Sequence, residues 1–458
     1  MIKTKGNQIF FSGIGGSGVS SIACFLADSG AVVSGSDRAF DFGGAHPVHK
    51  VLETKGIEIF PQDGSGVHSG LDMVVFSAAV EPNQPDRVRA EALGISTMSR
   101  PQYLTRLIRQ YTTIAVAGTS GKSTTAGLLA WLMAQLGMEP NFIGGGRVKG
   151  FHTASNPGNT CVGTSDYMVV EACESDGTLV DYYPAYSIVS NLALDHHPVE
   201  KTASMFKSLY EHTEKLVAAC SDDDNLNRYV FNKSHNLVQF SIDTDSDYRA
   251  YNIHYYDLKT TFTVKGVHFE LRLPGKHNLY NALACICLLS EMGISHDAIA
   301  RVLPGFTGIE RRFDIHLNNG GRLVIDDYAH NPHKIHCFMN AVRPLASSVC
   351  YIFQPHGFAP VKLMKEDYIQ TFKNELRAED TLFVLPIFYQ GGTVVQDISS
   401  HALVIPLQQA GFNAEVAETR AAVLERVRGC KTVVIFGARD ESLSQVADEI
   451  AAVLKNTG

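Results

Sequence analysis

A strand, a glycine-rich turn and the start of a helix follow one another at residues 113–125, with the sequence TIAVAGTSGKSTT. In such a turn the backbone N–H groups of Gly118 to Lys122, the positive helix end and the lysine ammonium would all face a bound anion. The Ser123 hydroxyl suits a magnesium ion that bridges two phosphates. Val116 replaces the first glycine of the common loop, so we predict a shortened phosphate-binding loop rather than a plain tight connection.

A second glycine-rich turn follows the first strand, in the segment QIFFSGIGGSGVSSIA. Gly13, Gly15 and Gly18 have the spacing of a dinucleotide-binding turn, and Asp37 ends the next strand 19 residues after Gly18. The same turn serves any diphosphate group, and it also occurs where a helix only packs closely on a strand. We therefore predict a diphosphate ligand here, and NAD is one alternative.

Polar residues also end two later strands. The strand YMVVE ends at Glu171, and YSIVSNLAL is followed by Asp195 and His196. The carboxyl ends of parallel strands meet at one edge of a sheet, so Glu171 and His196 could hold magnesium together with Ser123. Alternatively, Glu171 caps a neighbouring helix and His196 makes a structural hydrogen bond.

Length and composition suggest a globular protein of about three domains. Strands and helices alternate along all 458 residues, which predicts an α/β fold. We expect a Rossmann-like domain at 1–108, a central P-loop ATPase-type domain at 109–313 and a second Rossmann-like domain at 314–458. The net charge of −8 argues against nucleic acid as a partner. No signal peptide or membrane span is recognisable, so a cytoplasmic location is expected.

Six ordered segments together resemble the Mur ligase family of ATP-dependent amide-forming enzymes. They are GTSGKST, VEACESDG, NLALDHH, LPGKHNLYNALA, GIERRFD and VIDDYAHNP. The resemblance covers essentially the whole chain. Within the family, the segments GIGGSGVSSIA, VSGSD, VFSAAV and FQPH are most similar to those of the alanine-adding branch.

The resemblance implies a reaction in which ATP converts a carboxylate into an acyl phosphate, which an amine then attacks, with ATP and Mg²⁺ as cofactors. It assigns ATP contacts to Gly118, Thr119, Ser120, Gly121, Lys122, Ser123, Thr124, Asn278, Asn281, Arg312 and Asp326. It assigns magnesium to Ser123, Glu171 and His196. It assigns a UDP-linked amino sugar to Gly13, Gly15, Gly16, Ser17, Gly18, Asp37 and Ser77, with His356 as a further substrate contact. The catalytic set that it implies is Lys122, Glu171, His196, Arg312, Asp326 and His330.

The chain departs from the alanine-adding pattern after FQPH. Arginines that would receive an amino-acid carboxylate are absent, and Gly357 to Lys362 stand there instead. Arg439 is a candidate replacement cation. Cys173 also replaces an aspartate of the acidic motif, and a neutral thiol is a poor magnesium ligand. We therefore expect an intact ATP site and an incoming amine, an amino acid or short peptide, that differs from L-alanine.

Several alternatives remain open at this point. The substrate could be recycled murein tripeptide or lie outside peptidoglycan. The chain could also be an NAD-dependent oxidoreductase or a catalytically silent nucleotide-binding protein. His196, His330 and a metal-bound water are equal candidates for the general base. A monomer and a homodimer are both compatible with the sequence.

Overall fold

The computed structural model describes residues 6–41, 47–195, 197–231, 236–256, 258–389 and 395–456. The chain divides into two compact units, Met1–Thr307 and Gly308–Gly458. Both consist of mainly parallel sheets with intervening helices, which confirms the predicted α/β class. Within the described part of the chain, no helix is both long enough and apolar enough to span a membrane.

The first unit begins with a five-stranded parallel sheet in the order β3-β2-β1-β4-β5. Its elements are β1 Gln8–Ser12, α1 Ser17–Asp28, β2 Val32–Ser36, α2 Arg38–Asp41, α3 Pro47–Thr54, β3 Glu58–Phe60, β4 Met73–Phe76, α4 Pro85–Ala92, β5 Thr97–Ser99 and α5 Arg100–Ile108. Apolar residues fill β1 and β4 because both strands are central in the sheet. The passage into the next sheet is α5, which begins with a capping box between Ser99 and Gln102.

An eight-stranded sheet follows, in the order β13-β12-β11-β10-β6-β9-β7-β8. Its elements are β6 Thr112–Ala117, α6 Lys122–Gln135, β7 Asn141–Ile143, β8 Thr160–Cys161, β9 Tyr167–Glu171, β10 Tyr186–Val189, α7 Val199–His212, β11 Leu216–Cys220, α8 Asp224–Tyr229, β12 Leu237–Ser241 and β13 Tyr248–Arg249. The strand β6 lies between β9 and β10, so residues that follow these three strands meet at one edge.

The rest of the first unit contains a three-stranded antiparallel sheet that our sequence analysis did not predict. Its strands and the helices after it are β14 Tyr251–Tyr256, β15 Lys259–Val264, β16 Val267–Leu271, α9 Lys276–Glu291 and α10 His296–Val302. Lys265 and Gly266 connect β15 to β16 and have φ values of 50° and 83°, which are typical of a two-residue hairpin turn. The Lys265-Gly266 pair is the feature of the sequence from which this hairpin could have been predicted.

The second unit holds a six-stranded sheet in the order β17-β18-β22-β19-β20-β21. Its elements are β17 Asp314–Asn319, β18 Arg322–Asp327, α11 Pro332–Val342, β19 Cys350–Gln354, α12 Phe358–Leu363, α13 Lys365–Glu375, β20 Thr381–Val384, α14 His401–Gln409, β21 Ala414–Val416, α15 Arg420–Arg426, β22 Thr432–Gly437 and α16 Leu443–Asn456. Only β17 is antiparallel to its neighbour. The polar residues that end β18 and β19 and those that follow β22 therefore share one edge.

Candidate functional site

The predicted phosphate loop connects β6 to α6 in four residues. Gly118 and Gly121 have φ values of 152° and 81°, a region that L side chains rarely adopt. A Cβ atom on Gly118 would lie 2.2 Å from Ser190 Oγ, and one on Gly121 would lie 2.6 Å from Asn281 Oδ1. Both positions require glycine because the backbone passes so close to its neighbours.

Asn191, just after β10, holds this loop from outside. Its Oδ1 accepts hydrogen bonds from the Ser120 N–H at 2.8 Å and the Thr119 hydroxyl at 2.9 Å. Its Nδ2 donates to the Ser120 carbonyl at 2.9 Å, and its carbonyl accepts from the Thr119 N–H at 3.1 Å. The prediction that every loop N–H points inward is thus wrong for Thr119 and Ser120. The first-turn amides of α6 still have no acceptor within the helix.

Lys122 forms an ion pair that our sequence analysis missed. Its Nζ lies 2.9 and 3.1 Å from the two carboxylate oxygens of Glu174 and donates to the Gly118 carbonyl at 2.6 Å. The Glu174 side chain is only 1% exposed. A phosphate that binds Lys122 therefore competes with a buried carboxylate for the same ammonium.

Glu174→Gln is expected to bind a non-hydrolysable ATP analogue about tenfold more tightly than the wild type. The substitution removes the competing charge, and a hydrogen bond between charged groups contributes about 1.5–3 kcal/mol. Calorimetric titration at fixed Mg²⁺ would measure the change. Asp176→Asn is the matched control, because Asp176 lies in the same segment but pairs with Arg100 at 2.6 Å. Weaker binding by Glu174→Gln would mean that the carboxylate assists the nucleotide.

The predicted magnesium ligands Ser123 and Glu171 do lie together. The Ser123 hydroxyl donates to Glu171 Oε2 at 3.1 Å, and the Gly145 N–H donates to Oε1 at 2.7 Å. A hydroxyl beside a carboxylate at the phosphate loop fits the oxygen preference of magnesium. The third predicted ligand, His196, lies outside the described residues. No group of three or more histidine, cysteine or acidic side chains forms a metal cluster in the part of the chain that the structure describes.

Asn278 and Asn281, the predicted nucleotide contacts on α9, are buried beneath the loop. The Thr125 hydroxyl donates to Asn281 Oδ1 at 3.0 Å, and Asn278 Nδ2 donates to the Pro274 carbonyl at 2.8 Å. Thr124 is buried as well. The Thr125–Asn281 bond joins α6 to α9, and the Asn278 bond stays local to the start of α9. Contact of Thr124, Asn278 and Asn281 with nucleotide stays a prediction.

The glycine turn after β1 brings Gly13, Gly15, Asp37 and Ser77 together. The Gly15 N–H donates to Asp37 Oδ2 at 2.8 Å, and a Cβ atom on Gly13 would lie 2.7 Å from Ser77 Cβ. The predicted residues Gly16 and Gly18 belong to the same turn and the start of α1. Because Asp37 already binds a loop N–H, a diphosphate would have to share this edge with a carboxylate.

A buried carboxylate supports this turn from below. Asp86, at the start of α4, is fully buried and accepts hydrogen bonds from Ser12 Oγ at 2.7 Å and Ser36 Oγ at 2.5 Å. The Gly64 N–H donates to its other oxygen at 3.0 Å. The two serines end β1 and β2, so Asp86 fixes the strand ends from which the glycine turn starts. Nothing in the local sequence pattern around Asp86 indicates this role.

In the second unit, the predicted residue Asp326 is paired with Arg311, the neighbour of the predicted residue Arg312. Arg311 Nε lies 3.1 Å from Asp326 Oδ2, and the guanidinium also donates to the carbonyls of Asp440 at 2.9 Å and Gly437 at 2.7 Å. Burial raises the pKa of Asp326 to about 6, although the Arg311 charge lowers it. Asp326 is 0% exposed, so its observed contacts are structural, and direct contact with ATP stays a prediction.

Three predicted residues, Arg312, His330 and Arg439, contact Tyr328, just after β18, and a fourth, His356, contacts His330. The Arg312 guanidinium lies over its ring at 4.9 Å, and the Arg439 N–H donates to its hydroxyl at 3.2 Å. The His330 ring centre lies 5.6 Å from that of Tyr328 and 5.3 Å from that of His356. The structure thus gathers Arg312, His330, His356 and Arg439 at one sheet edge, and the roles predicted for them stay predictions.

The His330 ring is held as a neutral acceptor. Its Nδ1 lies 2.8 Å from the Tyr328 carbonyl, which can only accept, so Nδ1 carries the hydrogen and Nε2 has a free lone pair. Burial lowers the pKa of His330 to about 3, and the Lys334 charge acts in the same direction. Burial and then the Arg439 charge also lower the pKa of His356. Both rings are therefore uncharged at neutral pH.

The lowered pKa of His330 predicts a loss of stability in acid. Histidine in the unfolded chain has a pKa of about 6.5, so the folded state binds fewer protons between about pH 3 and 6.5. The stability that the neutral ring contributes is present above this window and is lost as the pH falls through it. His330→Gln should lose less stability than the wild type between pH 7 and 5 in urea unfolding. His268→Gln, on the exposed face of β16, is the control and should follow the wild type.

The segment that lacks the expected arginines forms the start of α12. Gly357, with φ of 70°, precedes the helix, and its N–H donates to the Phe388 carbonyl at 3.1 Å. Lys362 forms an ion pair with Asp397. Its ammonium thus has a counterion within the unit, which reduces its value as a receptor for a substrate carboxylate.

Comparison with known proteins gives matches along nearly the whole chain. Models described as the Mur ligase family catalytic domain, the Mur ligase middle domain and the Mur ligase glutamate ligase domain match residues 8–112, 116–289 and 311–439. UDP-N-acetylmuramate–L-alanine ligase of Francisella philomiragia is 32% identical over 417 residues, 87% of this chain and 89% of that protein. The enzyme of the same name from Burkholderia cenocepacia is 32% identical over 455 residues, 94% of this chain and 95% of that protein.

Solved structures give the same fold. UDP-N-acetylmuramate-alanine ligase of Thermotoga maritima superposes with a TM-score of 0.81 at 24% identity, covering 98% of this chain and 100% of that one. A murein peptide ligase of Psychrobacter arcticus superposes with a TM-score of 0.68 at 21% identity, covering 98% and 99%. At these identities the similarity supports the three-domain α/β architecture alone.

Proposed function

This chain belongs to the Mur ligase family, and from that premise we propose that it joins the carboxylate of a UDP-N-acetylmuramate-type substrate to an amine, driven by ATP. The observation that carries the proposal is the loop at Lys122, with Ser123 and Glu171 beside it. An NAD-dependent oxidoreductase would use only the first glycine turn. A ligase accounts for both glycine turns and for the cationic edge of the second unit.

The reaction requires a negative carboxylate oxygen to attack the γ-phosphorus of ATP. ADP leaves, and the resulting acyl phosphate loses inorganic phosphate when the amine attacks its carbonyl carbon. Lys122 and the first-turn amides of α6 offset the charge that gathers on the phosphates. Ser123 and Glu171 would hold magnesium, which supplies further positive charge to the phosphate oxygens when it is bound.

The residues around Tyr328 are proposed to serve the amine and the transferring phosphoryl group. Arg312 supplies a cation whose position over the Tyr328 ring is already fixed. His330 offers the Nε2 lone pair to an N–H of the amine. Since burial lowers its pKa to about 3, His330 is a weak base in this state and is better suited to orient the amine than to retain its proton.

The test is phosphate release from ATP and Mg²⁺ with UDP-N-acetylmuramate and a panel of amino acids and short peptides. Release should require both the carboxylate and one class of amine, and mass spectrometry should detect the amide product. ATP hydrolysis that ignores the carboxylate would contradict the proposal. Efficient and selective use of L-alanine would support the ligase but refute our expectation of a different amine.

Other expectations from the sequence remain proposals. We propose the domain limits 1–108, 109–313 and 314–458, a cytoplasmic location, and a monomer or homodimer. The first family model ends at residue 112 and the second begins at 116, and the second ends at 289 and the third begins at 311. These positions support domain limits in the same regions. Limited proteolysis and sedimentation analysis would test the limits and the oligomeric state.

A further inference from the structure

A cavity of about 240 Å³ lies at the carboxyl edge of β19, β20 and β21 in the second unit. Gln354, which ends β19, forms its floor, and the apolar residues from Leu385 to Phe388 form one wall. Glu418 and Arg420 also line the cavity. In parallel sheets this edge is where ligands bind.

Gln354 lines this cavity and carries an unsatisfied acceptor. The side chain is 7% exposed, and its Nε2 lies 3.4 Å from the Pro386 carbonyl. Because that carbonyl only accepts, the neighbouring atom is the amide nitrogen, and Oε1 is the atom left over. Oε1 is buried and has no hydrogen-bond partner among the described residues. A buried acceptor without a partner is costly, so a ligand donor that met Oε1 after a rotation of the Gln354 amide would gain affinity.

The charges around the cavity also favour a donor. Arg420 forms an ion pair with Asp440 and donates to Ser442 Oγ at 2.9 Å, so its charge is balanced within the protein. The Glu418 side chain is 68% exposed, and its nearest basic neighbour is the His401 ring at 3.9 Å. Glu418 is thus the lining charge with no lysine or arginine partner among the described residues, which favours a positively charged ligand.

The cavity is connected to the residues around Tyr328 through its wall. The Phe388 N–H donates to the Pro355 carbonyl at 2.8 Å, and His356 and Phe388 pair as neighbouring strands do. His356 in turn lies 5.3 Å from His330, ring centre to ring centre. A side chain in the cavity would thus extend from an amine held near the two histidines.

We propose that this cavity receives the side chain of the incoming amine and selects a basic amino acid, whose terminal N–H donates to Gln354 Oε1 with Glu418 as its counterion. The proposal rests on the proposed ligase function and names its amine class. A methyl group, as in alanine, would leave most of the cavity empty and Gln354 Oε1 unpaired. A basic side chain also passes its methylene groups along the wall from Leu385 to Phe388.

The experiment compares L-lysine, L-ornithine and L-arginine with L-alanine and L-norleucine in the phosphate-release assay with UDP-N-acetylmuramate. Norleucine has the carbon chain of lysine without the terminal donor. We expect kcat/KM for the preferred basic amino acid to exceed that for norleucine by about a hundredfold, because a site built for a hydrogen bond rejects the analogue that lacks it. Equal or better use of norleucine or alanine would overturn the proposal.

Two variants separate this proposal from the ligase function. Gln354→Leu keeps the volume of the floor and removes the acceptor, and Glu418→Gln removes the exposed charge. Each should reduce the ratio of kcat/KM for lysine to kcat/KM for norleucine at least tenfold, while turnover with norleucine is retained. An unchanged ratio in both variants would refute the proposal. If no amine supports turnover, the ligase function fails. Calorimetric titration with lysine and with norleucine then tests the cavity proposal independently of turnover. Equal affinities, or no binding of lysine, would then overturn it.

Discussion

Lys122→Met is expected to reduce kcat/KM for ATP-dependent phosphate release by about a thousandfold or more. The substitution removes the cation of the phosphate loop, where a single lost group commonly costs a hundred- to a thousandfold. It also leaves the Glu174 carboxylate, 1% exposed, without its partner. The bound phosphates would then face a like charge. Initial rates over a range of ATP concentrations would measure the effect.

The matched control is Lys259→Met, which breaks an exposed lysine–glutamate pair with Glu270 at 2.9 Å and should leave turnover unchanged. The double variant Lys122→Met, Glu174→Gln tests the cause. It should recover much of the nucleotide affinity but little of the turnover, since the repulsion is gone and the cation is still missing. Turnover near the wild-type level in Lys122→Met would disprove the role assigned to the loop.

Arg311→Met is expected to destabilise the second unit by about 3–5 kcal/mol. Removal of one partner of a buried ion pair leaves the other charge without compensation, and here the carbonyls of Gly437 and Asp440 also lose a donor. Chemical denaturation followed by circular dichroism would measure the loss. The loss should be smaller at pH 5 than at pH 8. Without Arg311 the pKa of Asp326 rises further above its value in the unfolded chain. At pH 5 the folded variant therefore holds Asp326 protonated and needs no partner charge, and at pH 8 this contribution to stability is lost.

Arg312→Met is the internal control, because it makes the same substitution at the next residue. Its guanidinium lies over Tyr328 and forms no part of the Arg311–Asp326 pair, so the stability change should stay below about 1 kcal/mol. Turnover should nevertheless fall strongly if Arg312 serves the phosphoryl transfer as proposed. Equal destabilisation by the two substitutions would contradict the separate roles of these neighbours.

The neighbouring arginines illustrate what sequence can and cannot predict here. The phosphate loop was predictable because its chemistry is contiguous, from Gly118 to Ser123. The strand ends that carry Glu171 and Asp326 were predictable because buried apolar runs precede them. The sequence could not predict which arginine turns inward, because Arg311 and Arg312 have the same side chain. Only the φ of 56° at Arg311 and the packing of its side chain distinguish Arg311 from Arg312.

Partners distant in sequence were likewise missed. Glu174 is 52 residues from Lys122, and Asn191 is 71 residues from Ser120. Each belongs to a motif that resembled the family, but no local pattern links it to the loop. The strand order, with β6 between β9 and β10, is what brings both to the same edge.

The Asp86 carboxylate also links the order of synthesis to folding. Its donors come from residues 12, 36 and 64, all of which leave the ribosome before residue 86. Until Asp86 arrives, the serine hydroxyls that end β1 and β2 have no common acceptor, and a buried Asp86 without them would be an unpaired charge. The first sheet should therefore fold as one cooperative unit, late in the emergence of its own segment, with fragments that end before α4 left unfolded.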